Sequence, residues 1–262
     1  MTWIDSHCHV TADEFAGDQD AVVTRATAAS VSTLIAIGAG YGVSANARAV
    51  ELAARDPRVF ATVGVHPHDA EQLDDAGRRQ LRAWLAAPRV VAVGECGLDY
   101  WYEHAPRAVQ REVFAWQVAL ARELDLPVSI HVRDRAGDAY QELLDIWRAE
   151  GRGETRGVLH CYTHDLAFAR RALSENLYVS FSGILTFKRD RGLRDVAAAL
   201  PLERLLVETD APLLAPEGLR GRRNEPANVA RVGAALALAQ QRPIEEIAAA
   251  TAANARALFG LP

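Results

Sequence analysis

The 29 lysine and arginine residues of this 262-residue chain include a single lysine, Lys188. No apolar run approaches the roughly 18 residues needed to cross a bilayer, which excludes a hydrophobic helical span. The N-terminus carries no basic stretch followed by a long apolar segment, so a cytoplasmic location without membrane association is expected. Three cysteines, Cys8, Cys96 and Cys161, cannot all pair with one another, and their number fits a reducing compartment. Positive charge is not in excess either. A net charge of −5 excludes a surface coated in basic patches for tight non-specific nucleic-acid binding, while leaving room for a local basic pocket. No linker, low-complexity segment or repeat interrupts the chain, and a single domain spanning residues 1–262 is expected, with a monomer as the default oligomeric state.

Against these absences stands a regular alternation. Short β-branched or leucine-rich runs recur at intervals of roughly 20 to 40 residues, separated by alanine-rich stretches of helical periodicity. The runs are residues 3–9, 33–38, 59–66, 90–95, 127–131, 157–160, 177–182 and 205–210. Residues 45–55, 76–86, 107–124 and 166–176, rich in Ala, Leu, Arg and Glu, read as helices between them, and 227–241 and 244–259 as two C-terminal helices. Eight such units predict α/β architecture, a single (β/α)₈ TIM barrel with a parallel sheet.

The polar residues fall in one kind of place. Apolar strands finish at His9, Glu95, His131, His160 and Asp210, and a parallel barrel gathers its strand C-termini at one mouth, where the active sites of such barrels lie. His7 and His9, two apart on a strand, face the same side and suit chelation of one ion. With Glu95, His131, His160 and Asp210 they make a six-ligand set.

Imidazoles with carboxylates suit Zn²⁺, Mn²⁺ or Fe²⁺, whereas a site richer in oxygen favours Mg²⁺. Two divalent ions are expected: His7, His9 and Asp210 on the first, His131 and His160 on the second, Glu95 bridging. Such ions acidify a water and polarise the phosphoryl or carbonyl oxygen under attack. Asp210 is the candidate general base, with Glu95 as the other catalytic carboxylate. The plainer reading of Asp210 is a cap on the turn that Thr209-Asp210-Ala211-Pro212 starts. Each cysteine adjoins a candidate ligand, but Cys8 on a strand points away from His7 and His9, and all three read as small apolar fillers.

Taken in order, Asp5-Ser6-His7-Cys8-His9, Gly64-Val65-His66-Pro67-His68, Gly94-Glu95-Cys96-Gly97-Leu98-Asp99-Tyr100, Leu126-Pro127-Val128-Ser129-Ile130-His131, Gly157-Val158-Leu159-His160-Cys161-Tyr162-Thr163, Ser180-Phe181-Ser182-Gly183, Val207-Glu208-Thr209-Asp210-Ala211-Pro212 and Arg223-Asn224-Glu225-Pro226 closely resemble the TatD family of metal-dependent deoxyribonucleases, within the amidohydrolase superfamily. The resemblance runs nearly end to end. It implies a phosphodiesterase that removes nucleotides from the 3′ end of single-stranded DNA, with metal ligands at the same six positions and His66 holding the substrate phosphate. Barrels of this type that bridge their metals with a carboxylated lysine offer no parallel, because Lys188 lies in the loop after the seventh strand. One departure is His164, where the family pattern has glycine; it either contacts phosphate or is a loop residue without a role.

Lys188, Arg189, Arg191, Arg220, Arg222 and Arg223 cluster in the segments after strands seven and eight, where barrels of this class often bind phosphate. Lys188 and Arg222 are the leading candidates for substrate contact; a solvated loop face is the competing reading for each. Asn224 is a third candidate, or else it orients the loop through backbone hydrogen bonds. Tyr100, Trp101, Tyr102, Tyr162 and Phe187 either stack on bases of a single strand or pack the rim. His68 and His104 read as loop residues. The same metal site also suits a carboxylic ester, amide or lactone, since fold does not decide the substrate, and a non-catalytic adaptor that binds metal or nucleic acid is the third reading.

Overall fold

β-Branched and leucine-rich runs bounded by polar turns become strands wherever a helix can cover each face, and that is how the chain folds. The computed structural model describes residues Met1–Pro262. The strands are β1 (Trp3–Cys8), β2 (Val31–Ile37), β3 (Val59–Val63), β4 (Val90–Asp99), β5 (Val128–Arg133), β6 (Gly157–Leu159), β7 (Leu177–Phe181) and β8 (Leu205–Val207). They form one eight-stranded sheet in chain order. At its ends the Asp210 N–H donates to the His7 carbonyl at 2.9 Å, which makes the arrangement the (β/α)₈ barrel that the alternation predicts. Nine helices alternate with or follow the strands: α1 (Gln19–Ala28), α2 (Asn46–Arg55), α3 (Asp75–Leu85), α4 (Arg107–Leu124), α5 (Asp138–Gly151), α6 (Leu166–Ser174), α7 (Arg191–Ala199), α8 (Val229–Gln240) and α9 (Ile244–Phe259). None is long and apolar enough to cross a membrane.

Two compact units divide the chain. The first comprises Met1–Ala36, His160–Ser174 and Tyr178–Pro262. In it β1 pairs with β2 and β7 with β8, all in parallel. Trp3 is 1% exposed, and its indole lies so close to α8 that a β-carbon at Gly233 would collide with the ring. Truncating a buried Trp of this kind removes about 3–5 kcal/mol.

The second unit comprises Ile37–Leu159 and Glu175–Leu177. Here β3, β4, β5 and β6 pair in parallel, and α4 lies against β4. Helix starts follow local chemistry: the Asp74 carboxylate accepts from the Gly77 N–H at 2.7 Å and caps α3.

Strand ends differ from the expectation by one or two residues in most places and by three or four in three, and those three bear on the site. β4 runs on to Asp99 because Cys96 through Asp99 continue the ladder with Ile130 through Arg133. Gly97 permits this with φ +147°, since a β-carbon there would strike the His131 carbonyl oxygen. β3 stops at Val63, leaving His66 at the cap of a short 3₁₀ turn, and regular pairing of β8 stops at Val207. Asp210 then turns with φ +55°.

Candidate functional site

In the first unit, alternation along β1 sends His7 and His9 the same way, and their Nε2 atoms lie 3.4 Å apart. Each approaches Asp210 Oδ1, at 3.6 Å from His7 and 3.5 Å from His9. His160, just past β6, stacks flat on His7 with centroids 3.9 Å apart. Donor atoms of His7, His160 and Asp210 all lie within 4.8 Å of one another. The structure therefore brings His160 together with His7 and Asp210. All four side chains are buried.

A carboxylate stands behind this cluster. His160 Nδ1 pairs with Glu208 Oε1 at 3.2 Å, and the same oxygen accepts the Cys161 N–H at 2.7 Å. That leaves the other imidazole nitrogen for the cluster, the arrangement by which an outer carboxylate orients a metal-binding histidine. Glu208 Oε2 is buried without a hydrogen-bond partner. Asp5, wholly buried, accepts from Thr209 N at 2.9 Å and pairs with Thr209 Oγ1 at 2.5 Å, which ties the start of β1 to the β8 turn. Burial pushes Asp5 up to about 8. Burial also opposes the charge on Asp210, yet the His9 hydrogen bond and the charges of His7, His9 and His160 outweigh it and hold Asp210 below the usual carboxylate range.

The second unit holds its own cluster. Glu95 on β4 is 3% exposed, and its Oε1 lies 3.1 Å from His131 Nδ1 and 3.6 Å from His66 Nε2. Gln117 positions His66: its amide accepts from Val65 N at 2.7 Å and donates to the Val65 carbonyl at 3.1 Å. Asp99 stands behind His131. Its Oδ2 lies 3.0 Å from both His131 Nε2 and His68 Nε2, while Oδ1 accepts the N–H groups of Trp101 at 3.0 Å and Tyr102 at 2.9 Å. Burial works to raise Asp99, but the His131 and His68 hydrogen bonds prevail and hold it well below the usual range. Gln110 clamps the Asp99 backbone, accepting from its N–H at 2.7 Å and donating to its carbonyl at 3.1 Å.

Both clusters fit divalent cations. Four ligands at about 2.1 Å around a tetrahedral ion lie about 3.4 Å from one another, and the His7–His9–Asp210 triangle has edges of 3.4, 3.5 and 3.6 Å. Buried Glu208 and Asp210 add negative charge that a cation offsets. None of the three cysteines is in a disulfide, and the thiols of Cys8 and Cys96 point to the carbonyls of Ile35 and Ser129.

The remaining sequence-derived positions separate by exposure. Lys188 and Arg222 are exposed cations. Asn224 is 1% exposed; its amide donates to the carbonyls of Thr209 at 3.0 Å and Leu213 at 2.8 Å and its oxygen accepts from Glu225 N and Asn228 Nδ2, so it holds the loop in shape. Arg223 is engaged by both Asp18 oxygens at 2.8 Å. His164 lies 3.9 Å from Asp165 with its ring beside Phe168. Sequence reasoning passed over Asp99, Glu208, Gln110 and Gln117. The two carboxylates carried a signal: Asp99 is four residues past Glu95 and Glu208 two before Asp210, spacings that keep them in step along extended chain. The glutamines, on α4, carried none.

Residues 4–260 match the family described as TatD related DNase. A metal-dependent hydrolase named TatD from Mycobacterium tuberculosis is 42% identical over 267 residues, covering 98% of each chain. A protein named 3'-5' ssDNA/RNA exonuclease TatD from Enterobacter lignolyticus is 37% identical, again covering 98% of each. The crystal structure of YJJV, a TatD homolog from Escherichia coli, superposes with a TM-score of 0.91 at 34% identity, over 99% of this chain and 98% of that one. With relatives of this closeness running the full length of the fold, the chain belongs to the TatD related DNase family.

Proposed function

We propose that this protein is a metal-dependent phosphodiesterase that removes nucleotides from the 3′ end of single-stranded DNA in the cytoplasm, with one divalent ion in each histidine–carboxylate cluster. One observation carries the reading: each cluster has a ligand histidine whose far nitrogen is held by a buried carboxylate, Glu208 for His160 and Asp99 for His131. Structural histidines have no need of that second carboxylate; metal ligands characteristically have it. Relatives named as 3'-5' ssDNA/RNA exonucleases support the choice of substrate.

When bound, the ions acidify a water and polarise the phosphoryl oxygen under attack. Asp210, kept ionised by its three histidines, takes the proton from the water as its oxygen bonds to phosphorus. The P–O3′ bond breaks, and the Asp210 carboxyl returns the proton to the departing O3′. His7, His9 and His160 hold Asp210 and the first ion; Glu95 and His131 hold the second. His66, Lys188 and Arg222 supply contacts to the substrate phosphates, with Lys188 and Arg222 as exposed cations, and Asn224 shapes the loop that carries Arg222.

The test is hydrolysis of a 5′-labelled single strand, of bis(4-nitrophenyl) phosphate and of 4-nitrophenyl acetate by protein loaded with Mg²⁺, Mn²⁺ or Zn²⁺. Shortening of the strand from its 3′ end is the expected result. Turnover of the carboxylic ester with both phosphodiesters left intact would overturn the phosphate reading.

A further inference from the structure

Five aromatic residues flank the strand ends, and the structure sorts them. Tyr100 and Tyr162 are buried, with hydroxyls donating to Glu142 and to the Asp165 carbonyl, and the Phe187 ring is only partly exposed, with Arg220 4.5 Å from its centre. Trp101 and Tyr102 differ: they are 39% and 52% exposed, the one adjacent pair among the exposed large apolar side chains. Two arginines from the end of β5 and the turn after it lean on them. The Arg133 guanidinium sits 5.1 Å from the Trp101 ring centre and 5.0 Å from that of Tyr102, and the Arg135 guanidinium 3.7 Å from Trp101. Nearby Arg107 and Arg111 pair with Glu103 and Glu142, whereas Arg133 and Arg135 have no carboxylate partner.

Exposed aromatic faces beside unneutralised guanidinium groups match the two features of a single-stranded nucleic acid, flat bases and a phosphate every residue. Their place in the fold ties them to the chemistry. Asp99 Oδ1 holds the Trp101–Tyr102 backbone while its Oδ2 holds the His131 ring, so one carboxylate fixes both the aromatic turn and the second cluster. What sets Arg133 and Arg135 apart from other exposed arginines is their position over the one adjacent pair of exposed aromatic side chains.

We infer that Trp101, Tyr102, Arg133 and Arg135 form a platform on which nucleotides of a single strand dock, bases stacking on the aromatic faces and phosphates meeting the guanidinium groups. This rests on the phosphodiesterase reading above and adds where the strand is gripped.

The experiment has two readouts. Fluorescence anisotropy of labelled oligo-dT, with the protein stripped of metal by chelator, reports binding without turnover. Hydrolysis of oligo-dT and of bis(4-nitrophenyl) phosphate by metal-loaded protein reports KM and kcat. Trp101→Ala, Tyr102→Ala and Arg133→Ala/Arg135→Ala are each expected to weaken oligo-dT binding and raise its KM by about 5- to 100-fold, leaving turnover of the small diester unchanged. Tyr102→Phe, which keeps the ring, restores the wild-type values.

Oligo-dT binding and KM that move less than twofold in all three variants, or an abasic oligomer bound as tightly as oligo-dT, would overturn the platform. Strand cleavage with KM unmoved sinks the platform and spares the nuclease reading. Binding that the variants weaken, in a protein that cleaves no phosphodiester, does the reverse.

Discussion

The two histidine–carboxylate clusters are built from the same residue types but are anchored differently. The first, with His7, His9, His160 and Asp210, is backed by Glu208 and Asp5, both wholly buried: Glu208 holds the residues after β6, and Asp5 ties β1 to the turn after β8. The second, with His66, Glu95 and His131, is backed by Asp99, whose other oxygen holds an exposed turn. The first cluster is insulated and holds Asp210, the proposed base; the second is joined through Asp99 to the surface. The His9 hydrogen bond and the charges of three fixed histidines hold Asp210 ionised against its burial, while the Asp99 carboxylate joins the His131 ring and the Trp101–Tyr102 turn through the same group.

The comparison breaks most completely if the metals go. Prolonged dialysis against chelator is expected to reduce strand cleavage to background, with recovery on adding a divalent ion, as read in a gel assay and by elemental analysis. Asp210→Asn follows, with kcat falling about 10²- to 10⁴-fold; retention of metal in that variant separates loss of the base from loss of the ion. Asp99→Asn and Glu208→Gln each leave a ligand histidine misoriented, and a drop of about 10- to 100-fold in metal affinity or activity is expected. If the clusters are as distinct as they look, Asp99→Asn also alters oligo-dT affinity and Glu208→Gln does not.

Gly97→Ala sharpens the contrast through folding. Its methyl meets the His131 carbonyl, so the second cluster loses shape and the variant melts several degrees lower, a shift corresponding to roughly 1–3 kcal/mol. The smallest effects belong to the exposed cations: Lys188→Ala and Arg222→Ala raise KM for a single strand by a few-fold and leave Tm unchanged, consistent with single phosphate contacts at a wet surface. A Tm change in either would mean that the residue supports the loop instead.

Much of this was legible before any coordinates. Strand periodicity located all eight β-strands, because a parallel sheet buried on both faces demands nearly unbroken apolar runs. Helices α2, α3, α4, α6, α8 and α9 lie within a few residues of the stretches rich in helix formers. Polar residues at strand ends stood out against that background, which is why six scattered side chains were recognisable as ligand types. Strand ends were harder: β4 continues to Asp99 because of a ladder with β5 and one glycine, and neither is visible in periodicity.

What the sequence alone determined is the inventory: the βα alternation, the donor residues and the order in which they occur, since those follow from local pattern and side-chain chemistry. What only the tertiary structure decided is company and exposure. It put His160 against His7, gave Glu208 and Asp99 their histidines, turned Asn224 inward and left Trp101 and Tyr102 outward. Those outcomes depend on contacts between residues far apart in the chain, and no local rule of spacing encodes which distant atom a side chain will meet.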